Sequence, residues 1–176
     1  MITNQNQIEA SVRHIADAMT IAAITAPKAR GVSNIFTGIL EDEEIKSVSD
    51  HLIKMVDERG FPPFFKRDAM NILSAQCVFI IGTRIKSTGI PACGLCGFKD
   101  CAEKDLHPYQ PCSFNTGDLG IAIGSAVSIA ADRRVDSRVM FTVGKATVEM
   151  GLLGKEVRIA YGIPLSVSSK SPFFDR

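Results

Sequence analysis

The chain lacks long runs of any one character. No stretch of Lys or Arg exceeds two residues, and 20 basic against 19 acidic side chains leave a net charge of +1. That balance offers no attractive field to a polyanion, so a nucleic-acid partner is not expected. The most apolar stretch, 119–131, is interrupted by Gly and Ser and ends in Asp132-Arg133-Arg134. It falls short of the ~17–25 residues a bilayer span requires, so no membrane association is expected. Met1-Ile2-Thr3-Asn4-Gln5 has no basic segment leading into an apolar one, as a secretory signal would. Together these absences predict a cytoplasmic protein. Only three histidines occur, and no Ser/His/Asp set can be picked out among them. There is no internal repeat and no low-complexity segment.

What is present suffices for one domain over 1–176, since 45% of the residues are hydrophobic and can bury a core without disulfide staples. Ile8, Val12, Ile15 and Met19 recur at helical spacing and predict a helix over 8–24 that ends before Pro27. A strand is expected over 35–40. A second helix follows over 43–59, with its acidic start at the favourable end of the helix dipole and Gly60 as its stop. A short helix over 66–73 comes next. The unbroken apolar run of 77–82 reads as a strand buried on both faces. Further on, 118–131 reads as a helix capped by Asp118, so uniformly small and apolar that burial with close approach by neighbours is expected. Strands are expected at 138–143 and 157–163, with a short helix at 145–153 between them. The order of elements predicts an α+β fold: a central, mostly antiparallel sheet flanked by helices.

Between these elements lies 87–116, rich in proline and glycine and without apolar periodicity. A loop this long in a compact domain is either functional or disordered. Its cysteines decide for function. Cys93, Cys96, Cys101 and Cys112 are spaced C-x2-C-x4-C-x10-C, and in a reducing compartment clustered cysteines bind metal more often than each other. Four thiolates complete a [4Fe–4S] cluster or a tetrahedral zinc site. Gly94 and Gly97 each follow a cysteine, letting the backbone wrap closely and aim N–H groups at sulfur, and no second C-x2-C knuckle is present. Both features favour the cluster over zinc. Cys112, separated from the rest, is the ligand the spacing supports least. His107 reads as a surface loop residue and Cys77, inside an apolar run, as a small buried hydrophobe. Gly144-Lys145-Ala146-Thr147 lacks the preceding glycine of a phosphate loop and is set aside. Gly82-Thr83-Arg84 is a weak candidate for a ligand site at a strand end. Phe173-Phe174 reads as an aromatic anchor for the chain end.

The segment Cys93-Gly94-Leu95-Cys96-Gly97-Phe98-Lys99-Asp100-Cys101 resembles the C-G-x-C-G-x3-C motif of Rnf-type electron-transport subunits and corrinoid iron–sulfur proteins, which bind [4Fe–4S] clusters. The whole chain resembles a family of ferredoxin-domain-containing proteins from anaerobic bacteria and archaea. That likeness rests on Thr25-Ala26-Pro27-Lys28-Ala29-Arg30-Gly31, Arg67-Asp68-Ala69, the cysteine loop, Asp118-Leu119-Gly120-Ile121-Ala122, Gly162-Ile163-Pro164-Leu165 and Phe173-Phe174-Asp175-Arg176. It implies a cluster and no substrate. The helix running into Ala26-Pro27, the later Asp-Leu-Gly-Ile-Ala helix and the closing Gly-x-Pro are also similar to FMN-dependent nitroreductases. This second resemblance implies a nitroreductase-like fold, an intertwined homodimer and flavin at the subunit interface. The family's N-terminal arginine–serine–arginine phosphate site is missing, and Lys28 and Arg30 are the residues left to contact an anion. The leading expectation is an iron–sulfur redox protein serving electron transfer or a reductase, with an unknown redox partner. A flavoenzyme or a zinc-stapled binding module are the alternatives.

Overall fold

The computed structural model describes residues 3–174. The first helix, α1 (Asn4–Thr25), is capped by Thr3, whose hydroxyl accepts from the Asn6 N–H. It buries Val12, Ala16, Met19 and Ala23 on one stripe. After a 3-10 turn at Ala29–Gly31 come β1 (Ile35–Leu40) and α2 (Asp42–Arg59). A capping box starts α2: Glu41 and Glu44 each accept the other's backbone N–H. Gly60, at φ +67°, ends it in the left-handed conformation that glycine adopts without strain. Then follow α3 (Phe64–Ile72) and β2 (Cys77–Arg84).

The cysteine loop holds one short helix, α4 (Cys101–Asp105), and leads into α5 (Ser113–Asp132). The remainder is β3 (Asp136–Ser137), α6 (Phe141–Glu149) and β4 (Val157–Ser166). The four strands pair antiparallel throughout in the order β1-β2-β4-β3. The expected α+β architecture, an antiparallel sheet flanked by helices, is what the chain adopts.

Alternate residues of β2 feed two cores. Cys77, Phe79 and Ile81 face a layer built from α1 and α5, while Val78 and Ile80 face one built from α2, α3 and α6. This explains why β2 carries no polar alternation: both of its faces are covered. Phe173 fills the second core completely, its carbonyl accepts from the Arg138 guanidinium at 2.7 Å, and that guanidinium lies over the Phe174 ring. The aromatic anchor is therefore real, whereas Asp175 and Arg176 lie outside the described residues.

Several expectations need correction. The strand expected at 138–143 is instead a short β3, a single bridge from Met140 to Gly162, and the start of α6. Val139 and Phe141 are exposed while Met140 and Thr142 are buried, so the burial alternates as far as Thr142; from there Val143, Ala146 and Thr147 are buried at helical spacing. The helix expected at 145–153 is the rest of α6 and ends at Glu149, with Gly151 at φ +68° just beyond. The helix expected from Asp118 begins five residues earlier, at Ser113, with Cys112 as its N-cap. It is also not buried all round. Leu119, Ala122, Ala126 and Ala130 pack on α1, but Gly117, Gly120 and Gly124 look into open space.

β4 runs past Pro164, beyond the expected end at Ile163. The N–H of Gly162 points toward Met140, so residue 164 faces the same side, where the two-residue β3 does not reach. A missing N–H there removes no bond to β2. His51 is half-buried with a ring nitrogen 3.0 Å from Glu149. Hydrogen bonds, foremost from Arg59, outweigh burial and hold the Glu149 carboxyl down at about 2. Among the described residues, no helix is long and apolar enough to cross a membrane.

Candidate metal centre

The loop leaves the end of β2 and returns at the start of α5, and this closure brings together cysteines that lie up to 19 positions apart. Cys93, Cys96, Cys101 and Cys112 all line one small cavity, with Thr88, Ile90, Asp100 and Lys104 among the other walls. Each turn of the loop has a local cause. Gly94 and Gly97 adopt φ +59° and +87°, closing a turn in which the Gly97 N–H donates to the Gly94 carbonyl at 3.0 Å. Asp100 then caps α4, its carboxylate accepting the Glu103 N–H at 2.9 Å. The Asp100-Cys101-Ala102-Glu103 pattern is a helix-start signal, and it fixes the direction in which Cys101 enters the cavity.

Cys112 proves the most firmly placed of the four. It is buried at the N-cap of the 20-residue α5. Burial works against its ionisation, but hydrogen bonds from the Thr88 hydroxyl and N–H and from the Phe114 and Asn115 N–H groups prevail. They lower the thiol below its ordinary range. A thiolate at a helix N-terminus is the arrangement that makes cysteine a metal ligand. Cys77 is the opposite case: burial, chiefly, pushes its thiol up to about 12, and it belongs to the core between α1 and α5. His107 is exposed and stacks on Phe98 at 5.1 Å, outside the cavity wall.

Lys28 and Arg30 do not point into the thiol cavity; both hold backbone. The Lys28 ammonium donates to the carbonyls of Ala23, Ile24 and Ala26 at the C-terminal end of α1. Burial depresses its pKa more than Asp118 raises it. Arg30 donates to the Thr88 and Gly89 carbonyls at 3.1 and 3.2 Å, pinning the first turn of the cysteine loop. Asp118, expected as a cap, instead accepts the Ala29 N–H on both oxygens at 3.1 Å. The Gly82-Thr83-Arg84 candidate is interior: Thr83 is buried and the Arg84 guanidinium donates to the Asn34 side chain.

Beside the cavity runs an apolar groove of about 400 Å³ between Pro27, Lys28, Leu95 and Ile121. Ser113 and Phe114 line both spaces. Thr88 and Lys104 are contributors to the site that spacing does not reveal. Their side chains are ordinary loop and helix residues in sequence, and only the closure of the loop sets them against the thiols.

The donor set fits an iron–sulfur cluster: four thiols surround one enclosed space, with N–H and hydroxyl donors beside at least one sulfur. Among the described residues, no three His, Cys, Asp or Glu side chains meet closely enough to hold a single metal ion.

Comparison with known proteins agrees with the fold. Solved structures similar to this chain include a nitroreductase family protein from Clostridium novyi NT (TM-score 0.61, 13% identity, covering 88% of this chain and 74% of that one). A nitroreductase with bound FMN from Desulfitobacterium hafniense matches at TM-score 0.57 and 14% identity, over 97% of this chain and 80% of that one. These likenesses establish a nitroreductase-like fold. An uncharacterized protein of Archaeoglobus fulgidus is 33% identical over the whole of this chain and 98% of its own length. Residues 110–176, which include Cys112, match the family described as "Uncharacterized protein containing a ferredoxin domain". With a relative so similar along its full length and that match across the last helices and strands, the chain belongs to this family of ferredoxin-domain proteins.

Proposed function

We propose that this protein is an iron–sulfur redox protein that holds a [4Fe–4S] cluster on Cys93, Cys96, Cys101 and Cys112. It would act in electron transfer or as the redox centre of a reductase. The observation that carries this reading is the single cavity walled by all four thiols. A cluster spreads its irons to separate corners and takes one thiolate at each, which suits sulfurs distributed around a wall. Zinc requires four ligands at about 2.0–2.3 Å from one point. When bound, the cluster would supply a one-electron centre. Four thiolates saturate its irons, so the chain's part is to hold it, dampen its charge with N–H donors and keep water from its sulfurs.

Anaerobically purified protein should be brown and contain about four irons per chain. Cys112→Ala, and each of the other three single Cys→Ala variants, should lose iron and colour. Colourless protein carrying one zinc per chain would overturn the reading.

The apolar groove favours a second reading, in which FMN sits beside the cluster and exchanges electrons with it. Its support is the fold shared with an FMN-bound nitroreductase and the contiguity of groove and cavity through Ser113 and Phe114. Yellow flavin released from freshly prepared protein on denaturation is the result expected, and protein without flavin counts against it. We take the assembly to be a cytoplasmic homodimer, with the open face of α5 as the surface between copies, and the electron donor or acceptor to be a separate protein.

A further inference from the structure

Lys104 is an anomaly in its neighbourhood. It lies on a five-residue helix at the surface of a loop, yet only 3% of it is exposed. Its neighbours Ala102, Glu103 and Asp105 all remain exposed. The side chain turns inward and lines the cavity that the four thiols share. Removing an ammonium from water costs several kcal/mol unless an opposite charge and hydrogen bonds replace the lost hydration. What the protein itself supplies is meagre. Among the described residues, the one ion pair Lys104 makes is with Asp105 at 3.3 Å, and that carboxylate is 59% exposed and also accepts a 2.6 Å hydrogen bond from Ser87. Asp100 and Glu103, the other nearby acids, are engaged with backbone N–H groups of Glu103 and Lys99. Among the described residues, the burial of Lys104 therefore lacks a matching buried anion.

We propose that Lys104 is the charge partner of the group bound by the four cysteines, and that it raises the reduction potential of that group. The inference rests on the cluster reading above. A [4Fe–4S] core with four thiolates is anionic in its oxidised state and gains one further negative charge when it accepts an electron. A cation fixed in the same low-dielectric cavity stabilises the reduced state more than the oxidised one, because the attraction scales with the charge it faces. The same attraction helps to retain the bound cluster. In its absence, Lys104 is a buried charge with one weak partner, and its removal should relieve the fold.

Opposite signs in the two states make the test specific. In the reconstituted protein, Lys104→Met should shift the midpoint potential to more negative values, and chelator should strip iron faster than from wild type. In the apoprotein the same variant should melt at the same or a higher temperature than wild type. Lys104→Gln should repeat the negative shift, while Lys104→Arg, which keeps the charge, should not. An unchanged potential in Lys104→Met and Lys104→Gln that carry the normal iron content overturns the proposal. So does an apoprotein destabilised by Lys104→Met, which would mark Lys104 as a packing residue. If Lys104→Met does not fold, Lys104→Gln against Lys104→Arg decides by the same criterion. Wild-type protein that binds no four-iron cluster overturns the parent reading instead, and metal analysis before any mutagenesis distinguishes that outcome.

Discussion

At Cys112 the backbone and the side chain serve one end. The residue stands at the N-cap of α5, so the N–H groups of Phe114 and Asn115 lie close enough to its sulfur to favour the thiolate, and Thr88 adds a hydroxyl 3.5 Å away. The same donors that lower the thiol's pKa in the free protein would offset thiolate charge in the loaded one. Thr88→Val removes the hydroxyl and leaves the shape. The sign follows from the stabilised form: a donor to sulfur favours the thiolate, so its loss raises the pKa. Alkylation of the apoprotein as a function of pH should show the Cys112 thiol titrating at higher pH in Thr88→Val than in wild type. An unchanged profile would show that the backbone N–H groups act alone.

α5 and α6 use glycine in opposite ways. A Cβ added at Gly144 of α6 would lie 1.7 Å from the Ala160 carbonyl oxygen, so the helix sits directly on the β4 backbone. Backbone cannot move aside as a side-chain tip can. Gly144→Ala should therefore cost more than about 3 kcal/mol, read as a lowered denaturation midpoint. On α5, Gly120 and Gly124 meet nothing within 4 Å of an added Cβ. Within one subunit, alanine at either position should raise stability by roughly 0.5–1 kcal/mol through backbone entropy alone. In the homodimer proposed above, the same substitutions intrude on the partner and should shift sedimentation toward monomer. A gain in stability with no change in mass would remove the open face of α5 from the interface.

At the scale of the whole molecule, the thiol cavity is appended to the fold and is not part of either core. Of the loop's cysteines only Cys112 is buried, and both hydrophobic clusters are built mainly from the sheet and the five longer helices, with Phe173 completing the second. Chelation of the metal should therefore leave far-UV circular dichroism nearly unchanged while amide exchange in 87–112 accelerates. Global unfolding on chelation would mean that the loop supports the fold.

The chain's periodicities are enough to place β1, β2, β4 and the principal helices. β1 was legible to the residue, β2 declared its burial on two faces, and the C-x2-C-x4-C core with its glycines marked the metal loop. These signals are local: one strand's neighbours, one helix's stripe, one turn's φ. Where sequence reading erred, two local patterns competed. Arg138 to Val143 reads equally as alternation or as the start of a helix, and the contact of Gly144 with β4 decides it. Asp118 resembles a cap until the turn after α1 takes its carboxylate. Only tertiary structure placed Cys112 at a helix N-terminus, Thr88 against its sulfur and Lys104 inside the cavity. Each of those pairings joins residues through the closure of one long loop, and spacing along a chain carries no information about how a loop closes.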